Sequence, residues 1–133
     1  MNTPPIIVIA DDDQSDRYFL KIAMDEVGVM ANVIEKTDGL EMLQFVKDTC
    51  SRVRPHLIIL DINMPKHSGY DVLEYKKNNS SLCDVPVIVF STSTEIADYN
   101  KAIGLGASMY VSKPTTYPEY LQFAKEIKTM LRQ

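Results

Sequence analysis

The sequence lacks tryptophan, a cysteine motif and any long hydrophobic run. Its longest uninterrupted apolar stretches have four to six residues, far below the roughly 20 that a membrane-spanning helix needs. Residues 1–5 carry no positively charged side chain, so the N-terminus does not resemble a signal peptide. We therefore expect a cytoplasmic protein that does not use a membrane as its partner.

Cysteine is scarce as well. Cys50 and Cys83 lie 33 residues apart and belong to no CxxC or Cys/His cluster. Such spacing supports neither a disulfide framework nor a zinc site. We expect two free thiols in a reducing compartment.

Positive charge is limited, because 14 Lys and Arg residues face 18 Asp and Glu residues for a formal net charge of −4. No window combines clustered basic residues with aromatics, which argues against a nucleic-acid partner. A chain of 133 residues can bury an ordinary core without disulfides or metal, and a second globular module does not fit. The sequence therefore predicts one domain over residues 1–133.

Five short apolar runs recur along the chain at intervals of roughly 25 residues. Their positions are 6–10, 32–35, 57–60, 87–90 and 109–111. Three of the runs are apolar at every position and rich in β-branched residues, which is typical of strands covered on both faces of a parallel sheet. The run at 32–35 is weaker and is predicted to lie toward an edge.

Between the runs, apolar residues recur with a helical period. The first helix is predicted to end at Gly28, which can adopt the left-handed conformation of a helix C-terminus. Further helices are predicted at 39–50, 69–79, 94–104 and 117–132. Three begin with the pattern of a capping box, namely Ser68 with Asp71, Thr92 with Glu95, and Thr116 with Glu119.

Strands that alternate with helices of about 10 to 15 residues imply right-handed crossovers. The predicted fold is α/β, a (βα)5 doubly wound parallel sheet with helices on both faces. In such sheets, ligands bind outside the carboxyl ends of the central strands. The residues that follow the runs are therefore the candidate functional residues.

Polar side chains follow four of the five runs. Three aspartates at 11–13 follow the first run, Asp61 follows the third, two hydroxyl residues at 91–92 follow the fourth, and Lys113 follows the fifth. One aspartate is explained as a helix cap, but the remaining carboxylates would repel one another unless a cation lies among them. Mg²⁺ prefers oxygen ligands, and the cluster contains no histidine or cysteine to favour a softer metal. The sequence predicts a Mg²⁺ site here.

The same edge of the sheet offers a carboxylate nucleophile, a cation site, a hydroxyl and an ammonium. This set is sufficient for phosphoryl transfer, in which positioning and charge neutralisation supply nearly all of the catalysis. The acceptor would be an aspartate, and the labile acyl phosphate suits a reversible signal. Composition alone does not decide which aspartate accepts the group.

Taken in order, these motifs resemble the receiver domains of two-component response regulators, especially stand-alone, chemotaxis-type ones. The resemblance covers nearly the whole chain. Its carriers are the acids after the first run, RPHLIILDINMP at 54–65 with Ser68-Gly69, VPVIVFS at 85–91, GLGAS at 104–108, and Lys113-Pro114. Intervals of 49, 30 and 22 residues separate Asp12, Asp61, Ser91 and Lys113, and this ordered set is far more specific than any one motif.

The resemblance implies a role for each matching residue. Asp61 would be the phosphoacceptor, and Lys113 would pair with the phosphoryl group. Ser91 would be the switch hydroxyl, and Tyr110 the aromatic residue that swings inward when the hydroxyl moves. Ser91 stands where threonine is commoner and lacks the methyl group that stiffens the rotamer, so we expect a looser switch.

The resemblance also implies the ligands of Mg²⁺. Asp12 and Asp61 would bind the ion directly, Asp11 mainly through water, and Asn63 through its backbone carbonyl. Asp13 lies outside the acidic pair and is interpreted as the cap of the following helix.

At the level of the whole domain, the resemblance implies a flavodoxin-like receiver fold with strand order 2-1-3-4-5 and a cis Lys113–Pro114 bond. The phosphoryl donor would be a sensor histidine kinase or a phosphotransfer protein. No residues remain for an output domain, so we expect an unidentified downstream effector to receive the signal in trans. The domain would be a monomer or a weak phosphorylation-dependent dimer, and would assist its own phosphorylation and dephosphorylation without being an ordinary enzyme.

Three alternatives stay open. The aspartates at 11–13 contain the Asp-x-Asp of a haloacid-dehalogenase-type phosphohydrolase, with Asp11 as nucleophile and Asp13 as acid/base, but that reading leaves Asp61 unexplained. A flavodoxin-like flavin binder would need a phosphate-cradling loop after the first strand, where this chain has carboxylates. A structural pseudo-receiver would be expected to have lost the acids or the lysine.

Overall fold

The computed structural model describes residues 3–81 and 83–133. Met1, Asn2 and Leu82 lie outside the described residues, and the first two of them belong to the segment compared with signal peptides. The strands are β1 (Ile6–Ala10), β2 (Asn32–Lys36), β3 (Leu57–Leu60), β4 (Val87–Ser91) and β5 (Met109–Ser112). The helices of the described residues are α1 (Gln14–Glu26), α2 (Gly39–Asp48), α3 (Cys50–Val53), α4 (Gly69–Asn78), α5 (Ile96–Gly104) and α6 (Tyr117–Met130). Among these helices, none combines the length and the apolar character needed to cross a bilayer.

The strands form one parallel sheet in the order β2-β1-β3-β4-β5, which confirms the predicted α/β fold and strand order. β2 lies at an edge, as its weaker apolar pattern predicts, whereas β3 and β4 are buried throughout. Ala10 of β1 pairs with Leu60 of β3, and the Asp61 amide donates to the Ala10 carbonyl at 2.9 Å. This register brings the residues that follow β1 and β3 to the same edge of the sheet.

Side chains of the strands alternate between two cores, one on each face of the sheet. On one face Val8, Ile58 and Val89 pack with α2, α4 and α5. On the other face Ile59 and Phe90 pack with α1 and α6. Strands that are apolar at every position fill both cores, and each fully buried aliphatic side chain contributes about 1.5–3 kcal/mol. The two cores therefore hold the sheet firmly beneath its carboxyl edge.

Helix starts follow the predicted capping boxes only in part. The Ser68 hydroxyl accepts from the Asp71 amide, and the Asp71 carboxylate accepts from the Ser68 amide, which confirms the box of α4. The box predicted at Thr92 and Glu95 is wrong, since α5 begins one residue after Glu95 and no side chain caps it. Instead, the Ser93 hydroxyl accepts from the Glu95 amide at 3.2 Å and so replaces Thr92 in binding this turn.

The other predicted helix boundaries are also confirmed only in part. Gly28 follows the end of α1 with φ of 83°, the left-handed conformation predicted for it. The helix predicted over 39–50 ends at Asp48, and the separate turn α3 follows. At the start of α6, the Thr116 hydroxyl donates to Glu119 at 2.9 Å but caps no backbone amide. The third capping box is therefore wrong, and a contact between the two side chains takes its place.

The prediction of two free thiols is wrong, because Cys50 and Cys83 form a disulfide. Cys50 opens α3, which precedes β3, and Cys83 precedes β4. Since β3 and β4 are neighbours in the sheet, the segments that enter them are neighbours too, and the two Cα atoms lie 5.4 Å apart, within the range that a disulfide spans. The bond ties the amino ends of β3 and β4 together, and both cysteines are buried.

The prediction of a cis Lys113–Pro114 bond is also wrong, since the described chain contains no cis peptide bond. Trans is the intrinsically favoured isomer of an X-Pro bond. The Lys113 amide donates to the Ser91 carbonyl at 2.7 Å, which continues the pairing of β4 with β5 by one residue. Lys113 is thereby fixed at the carboxyl edge of the sheet with a trans bond after it.

Candidate functional site

Asp11, Asp12 and Asp61 come together at the carboxyl edge of the sheet, where β1 and β3 end. One oxygen of each carboxylate lies within 4.8 Å of the others. Asp11 and Asp61 are only 2% and 4% exposed, whereas Asp12 faces solvent. The structure thus brings together the three acidic side chains that the sequence places in one site.

The two buried aspartates are oriented by the turns that follow their strands. Oδ1 of Asp11 accepts from the Asp13 amide at 2.9 Å, and Oδ1 of Asp61 accepts from the Asn63 amide at 3.2 Å. An aspartate that accepts from the amide two residues on forms a tight local turn. Each bond uses Oδ1 and leaves Oδ2 for other partners. The turn after β3 also contains the Asn63 carbonyl that the resemblance implies as a metal ligand.

Asp13 is the N-cap of α1, as the sequence predicts. Its exposed carboxylate accepts from the Asp16 amide at 3.1 Å through Oδ1. A phosphohydrolase of the Asp-x-Asp type would need this carboxylate as its acid/base. Here it satisfies a free amide at the start of a helix instead.

Lys113 enters the site from the end of β5, and its ammonium contacts both buried aspartates. Nζ lies 2.8 Å from Oδ2 of Asp11 and 3.1 Å from Oδ2 of Asp61. The lysine side chain is only 7% exposed. A charge buried to this degree needs charged or hydrogen-bonding partners. The ammonium and the carboxylates are therefore one electrostatic unit.

A third partner of Lys113, Asp16, was not found from the sequence. Oδ2 of Asp16 lies 2.7 Å from Nζ of Lys113. An acid in the first turn of a helix has an ordinary explanation in the helix dipole, which hides any other role. The two residues are 97 positions apart, so no local spacing connects them.

Burial and ion pairing act in opposite directions on the pKa values of the site. Burial raises the pKa of Asp11 to about 6, although hydrogen bonds from Lys113 and from the Asp13 amide act in the opposite direction. Burial disfavours the charged form of Lys113, but hydrogen bonds to Asp11 and Asp16 and the charge of Asp61 outweigh it and raise the pKa of this ammonium. The site has more negative than positive charge, and an additional cation would balance it.

The chemistry of the cluster fits a hard divalent cation. Its three side chains are all carboxylates, with no histidine or cysteine in the group. Mg²⁺ prefers oxygen ligands, uses one or two carboxylates directly and keeps water or phosphate oxygens at its remaining positions. The exposure of Asp12 leaves one side of the cluster open to such ligands.

Two glycines let the loop after β3 approach the neighbouring helices closely. A Cβ on Gly39, the first residue of α2, would overlap the carbonyl of His67. A Cβ on Gly69, the first residue of α4, would lie 2.8 Å from the Cα of Ile62, and the Gly69 amide donates to the Ile62 carbonyl at 2.8 Å. The loop that carries Asn63 is therefore fixed from both sides at positions that only glycine fits.

The two residues that the resemblance assigns to switching, Ser91 and Tyr110, meet through Ser93. The buried Ser91 hydroxyl accepts from the Ser93 amide at 3.2 Å, and the Tyr110 hydroxyl donates to the Ser93 carbonyl at 2.8 Å. The Ser93 hydroxyl donates to Asp98 of α5, which also accepts from Tyr70 of α4. These bonds join the loop after β4 to α4, α5 and β5.

Comparison with known proteins agrees with this geometry. The family model of the response regulator receiver domain matches residues 7–125. The chain belongs to this family. Among relatives of this receiver domain, the protein PilG of Pseudomonas aeruginosa is 31% identical over 115 residues, which cover 86% of this chain and 81% of PilG.

Two further response regulators match nearly the whole chain. The response regulator Rcp1 of Synechocystis sp. is 27% identical over 131 residues, which cover 96% of this receiver domain and 89% of Rcp1. Among solved structures, the phosphorylated cyanobacterial phytochrome response regulator RcpA superposes with a TM-score of 0.84 at 28% identity, covering 95% of this chain and 92% of RcpA. The similarity therefore extends over the sheet and the helices together.

As a receiver domain, the chain is a module of two-component signalling and not an enzyme of the ordinary kind. Domains of this family interact with histidine kinases and with downstream effectors. The acidic group of Asp11, Asp12 and Asp61 fits the binding of Mg²⁺ in such a domain.

Proposed function

We propose that this receiver domain accepts a phosphoryl group on Asp61 from the phosphohistidine of a sensor histidine kinase or a phosphotransfer protein. The setting of Asp61 carries the proposal. Its buried carboxylate is held by the Asn63 amide at 3.2 Å and by Lys113 at 3.1 Å, within 4.8 Å of carboxylate oxygens of Asp11 and Asp12. A carboxylate oriented in this way beside a cation site is suited to attack a phosphorus atom.

In the transfer step, an oxygen of Asp61 attacks the phosphorus and forms an aspartyl phosphate. The phosphorus–nitrogen bond of the donor breaks, and its electron pair passes to the imidazole nitrogen. Lys113 is placed to neutralise one phosphoryl oxygen, and the Ser91 hydroxyl is the candidate donor to another. The same groups would assist the later hydrolysis of the aspartyl phosphate.

Mg²⁺ would supply the remaining charge neutralisation when bound. We assign Asp12 and Asp61 as direct ligands, together with the backbone carbonyl of Asn63. We assign Asp11, whose oxygens contact the Asp13 amide and Lys113, a role mainly through water, as the resemblance to the family implies. This set leaves coordination positions for water and for a phosphoryl oxygen.

The output would follow from the bonds of Ser93. If the Ser91 hydroxyl turns toward a phosphoryl oxygen, its bond from the Ser93 amide is lost. The loop after β4, which also binds Tyr110 and Asp98, must then rearrange. We infer a shift between two arrangements of residues 91–117 that presents a different surface to a downstream effector.

We further propose that residues 1–133 form a single cytoplasmic receiver domain, as a monomer or a weak phosphorylation-dependent dimer. The matches cover 81% of PilG and 89% of Rcp1, but 48% of the probable transcriptional regulator ycf27 of Porphyridium aerugineum. A separate effector would receive the signal in trans.

The test is intact mass spectrometry of the purified protein after incubation with Mg²⁺ and phosphoramidate, a small phosphodonor. We expect one species heavier by about 80 Da, the mass of one phosphoryl group. Chelation of Mg²⁺ before addition of the donor should suppress this species.

Two variants make the test specific. Asp61→Asn should give no adduct, whereas Asp13→Asn, which removes an acid from the exposed cap and keeps a capping side chain, should give the wild-type amount. An unmodified wild type, or an undiminished adduct on Asp61→Asn, would contradict the proposal. Steady hydrolysis of phosphate monoesters that survives Asp61→Asn would favour the phosphohydrolase instead.

A further inference from the structure

The ammonium of Lys113 is shared by three carboxylates on two sides of the site. Nζ lies 2.7 Å from Asp16, 2.8 Å from Asp11 and 3.1 Å from Asp61. An ammonium has three N–H donors, so these three acceptors can use all of them. Asp11 and Asp61 belong to the cation site. Asp16 makes the shortest contact with the ammonium and lies on α1, outside that site.

Asp16 is itself held in place from two other elements. Its amide donates to the Asp13 cap at 3.1 Å, which fixes the first turn of α1. Its Oδ1 accepts from the hydroxyl of Tyr120 on α6 at 3.3 Å. The side chain of Asp16 is 24% exposed and that of Lys113 is 7% exposed, so solvent screens this pair less than a surface ion pair. The carboxylate is a fixed acceptor on the α1 side of the lysine.

We propose that Asp16 is a positioning residue that holds the Lys113 ammonium partly away from Asp11 and Asp61 and so keeps these carboxylates available to a divalent cation. The inference rests on the proposed function, since it concerns the cation site beside the phosphoacceptor. Without Asp16, one N–H of Lys113 has no acceptor, and the ammonium turns toward the two remaining carboxylates. There it competes with the cation for the same oxygens.

The experiment titrates the metal-free protein with Mg²⁺ alone and measures the dissociation constant by calorimetry. Asp16→Asn should raise the constant about fivefold, a size typical of coupling between residues in contact. Asp16→Glu should stay near the wild-type value because it restores the carboxylate. Asp16→Ser, which also lacks the charge, should reproduce the result of Asp16→Asn and serves if the asparagine variant does not fold.

Removal of a nearby negative charge could weaken cation binding without any action through Lys113. Two controls separate these causes. Asp13→Asn removes the same charge from the same turn but has no contact with Lys113, and should change the constant less than about twofold. In the Lys113→Met variant, the added change Asp16→Asn should also alter the Mg²⁺ dissociation constant less than about twofold. Circular dichroism with Mg²⁺ present checks that the Lys113→Met variant folds.

A second readout needs no metal. The side-chain ¹⁵N resonance of the Lys113 ammonium should shift in metal-free Asp16→Asn and stay unchanged in Asp13→Asn. Equal dissociation constants for Asp16→Asn and Asp13→Asn, an unchanged ammonium resonance in Asp16→Asn, or the same fold-change with and without Lys113 would overturn the positioning role.

The wild type distinguishes this inference from the proposed function. If wild type binds Mg²⁺ and is phosphorylated on Asp61 while Asp16→Asn behaves like Asp13→Asn, only the role of Asp16 is lost. If wild type neither binds Mg²⁺ nor gains a phosphoryl group, the proposed function and the inference fall together.

Discussion

The carboxyl and amino ends of the sheet are held together by different interactions. At the carboxyl end, Lys113 contacts three carboxylates, and an exposed fourth, Asp12, lies beside two of them. At the amino end, a covalent bond between Cys50 and Cys83 joins the segments that enter β3 and β4, and both cysteines are buried in an apolar core. One end depends on charge, and the other depends on packing and a disulfide.

Buried charges are weak evidence for stability, because desolvation offsets much of their mutual attraction. A site with more carboxylates than cations is therefore better explained by cation binding and chemistry than by folding. The disulfide and the buried side chains packed around it carry no charge. Changes at the amino end should alter stability with little effect on cation binding, and changes at the carboxyl end should do the reverse.

Reduction of the Cys50–Cys83 disulfide should have the largest effect on stability. The two cysteines are 33 residues apart, and the loop-entropy relation assigns about 3.7 kcal/mol to a loop of that size. Guanidinium unfolding curves of the oxidised and reduced protein, followed by circular dichroism, measure the difference. The Mg²⁺ dissociation constants of the two forms should agree within about twofold, because the sites are far apart.

The double variant Cys50→Ala, Cys83→Ala provides a chemical control and should unfold close to the reduced wild type. Coincident unfolding curves for oxidised and reduced protein would show that the bond contributes nothing. A clear loss of Mg²⁺ affinity on reduction would show that the two ends of the sheet are coupled.

Gly39→Ala should affect stability and the cation site at once, unlike a change confined to either end of the sheet. The new methyl group would overlap the His67 carbonyl, so the loop after β3 must move, at a cost of about 3 kcal/mol. Since this loop carries Asn63, Mg²⁺ binding should weaken as well. Chemical denaturation and Mg²⁺ titration of the same samples test both effects.

Gly104→Ala is the matched control, since a Cβ there meets nothing within 4 Å. It should be neutral or stabilising by up to about 1 kcal/mol, because alanine is the better helix former. Equal behaviour of the two alanine variants would contradict the close approach of the loop to α2.

Features that produce a local pattern of apolar and polar residues could be predicted from the sequence. Complete burial of β3 leaves an uninterrupted apolar run at 57–60, and the half-exposed edge strand leaves a mixed one at 32–35. The grouping of Asp61 with Lys113 could also be predicted, because the carboxyl ends of parallel strands meet at one edge. For these features, periodicity and chain order contain the needed information.

Features that depend on side-chain packing between distant segments could not be predicted. The Asp16–Lys113 contact needs the first turn of α1 to lie beside the end of β5, and the disulfide needs two loops to meet at the amino edge. The capping box at Thr92 failed for a local reason, since Ser93 offers a competing hydroxyl one residue later. Competition between neighbouring hydroxyls is decided by backbone geometry, which a short motif does not specify.

Asp12→Asn should weaken cation binding at the carboxyl end of the sheet without lowering the stability of the metal-free protein. Asp12 is the exposed acid of the cluster, and Lys113 pairs with other carboxylates. At Mg²⁺ a hundredfold above the wild-type dissociation constant, wild type should gain about 2.7 kcal/mol of stability, whereas a tenfold weaker variant should gain about 1.4 kcal/mol. Denaturation with and without Mg²⁺ measures both gains.

Without metal, Asp12→Asn should be at least as stable as wild type, because it removes one of several like charges. Asp25→Asn makes the same charge change in the last turn of α1 and should keep the full Mg²⁺-dependent gain. A variant at Asp12 that loses stability without metal, or keeps the full gain with it, would contradict a cation-binding role.

Tyr70→Phe should have the smallest effect and tests how much a polar contact at the carboxyl end contributes. Its hydroxyl donates to Asp98, and burial together with that carboxylate raises the pKa of Tyr70, so the contact persists at neutral pH. Tyr70→Phe removes one hydrogen bond to Asp98, which keeps its bond from Ser93. This loss should lower the free energy of unfolding by about 1 kcal/mol. Tyr99→Phe, at a half-exposed ring whose hydroxyl has no partner among the described residues, should cost less. Equal unfolding midpoints for the two variants would mean that the Tyr70–Asp98 bond contributes no stability.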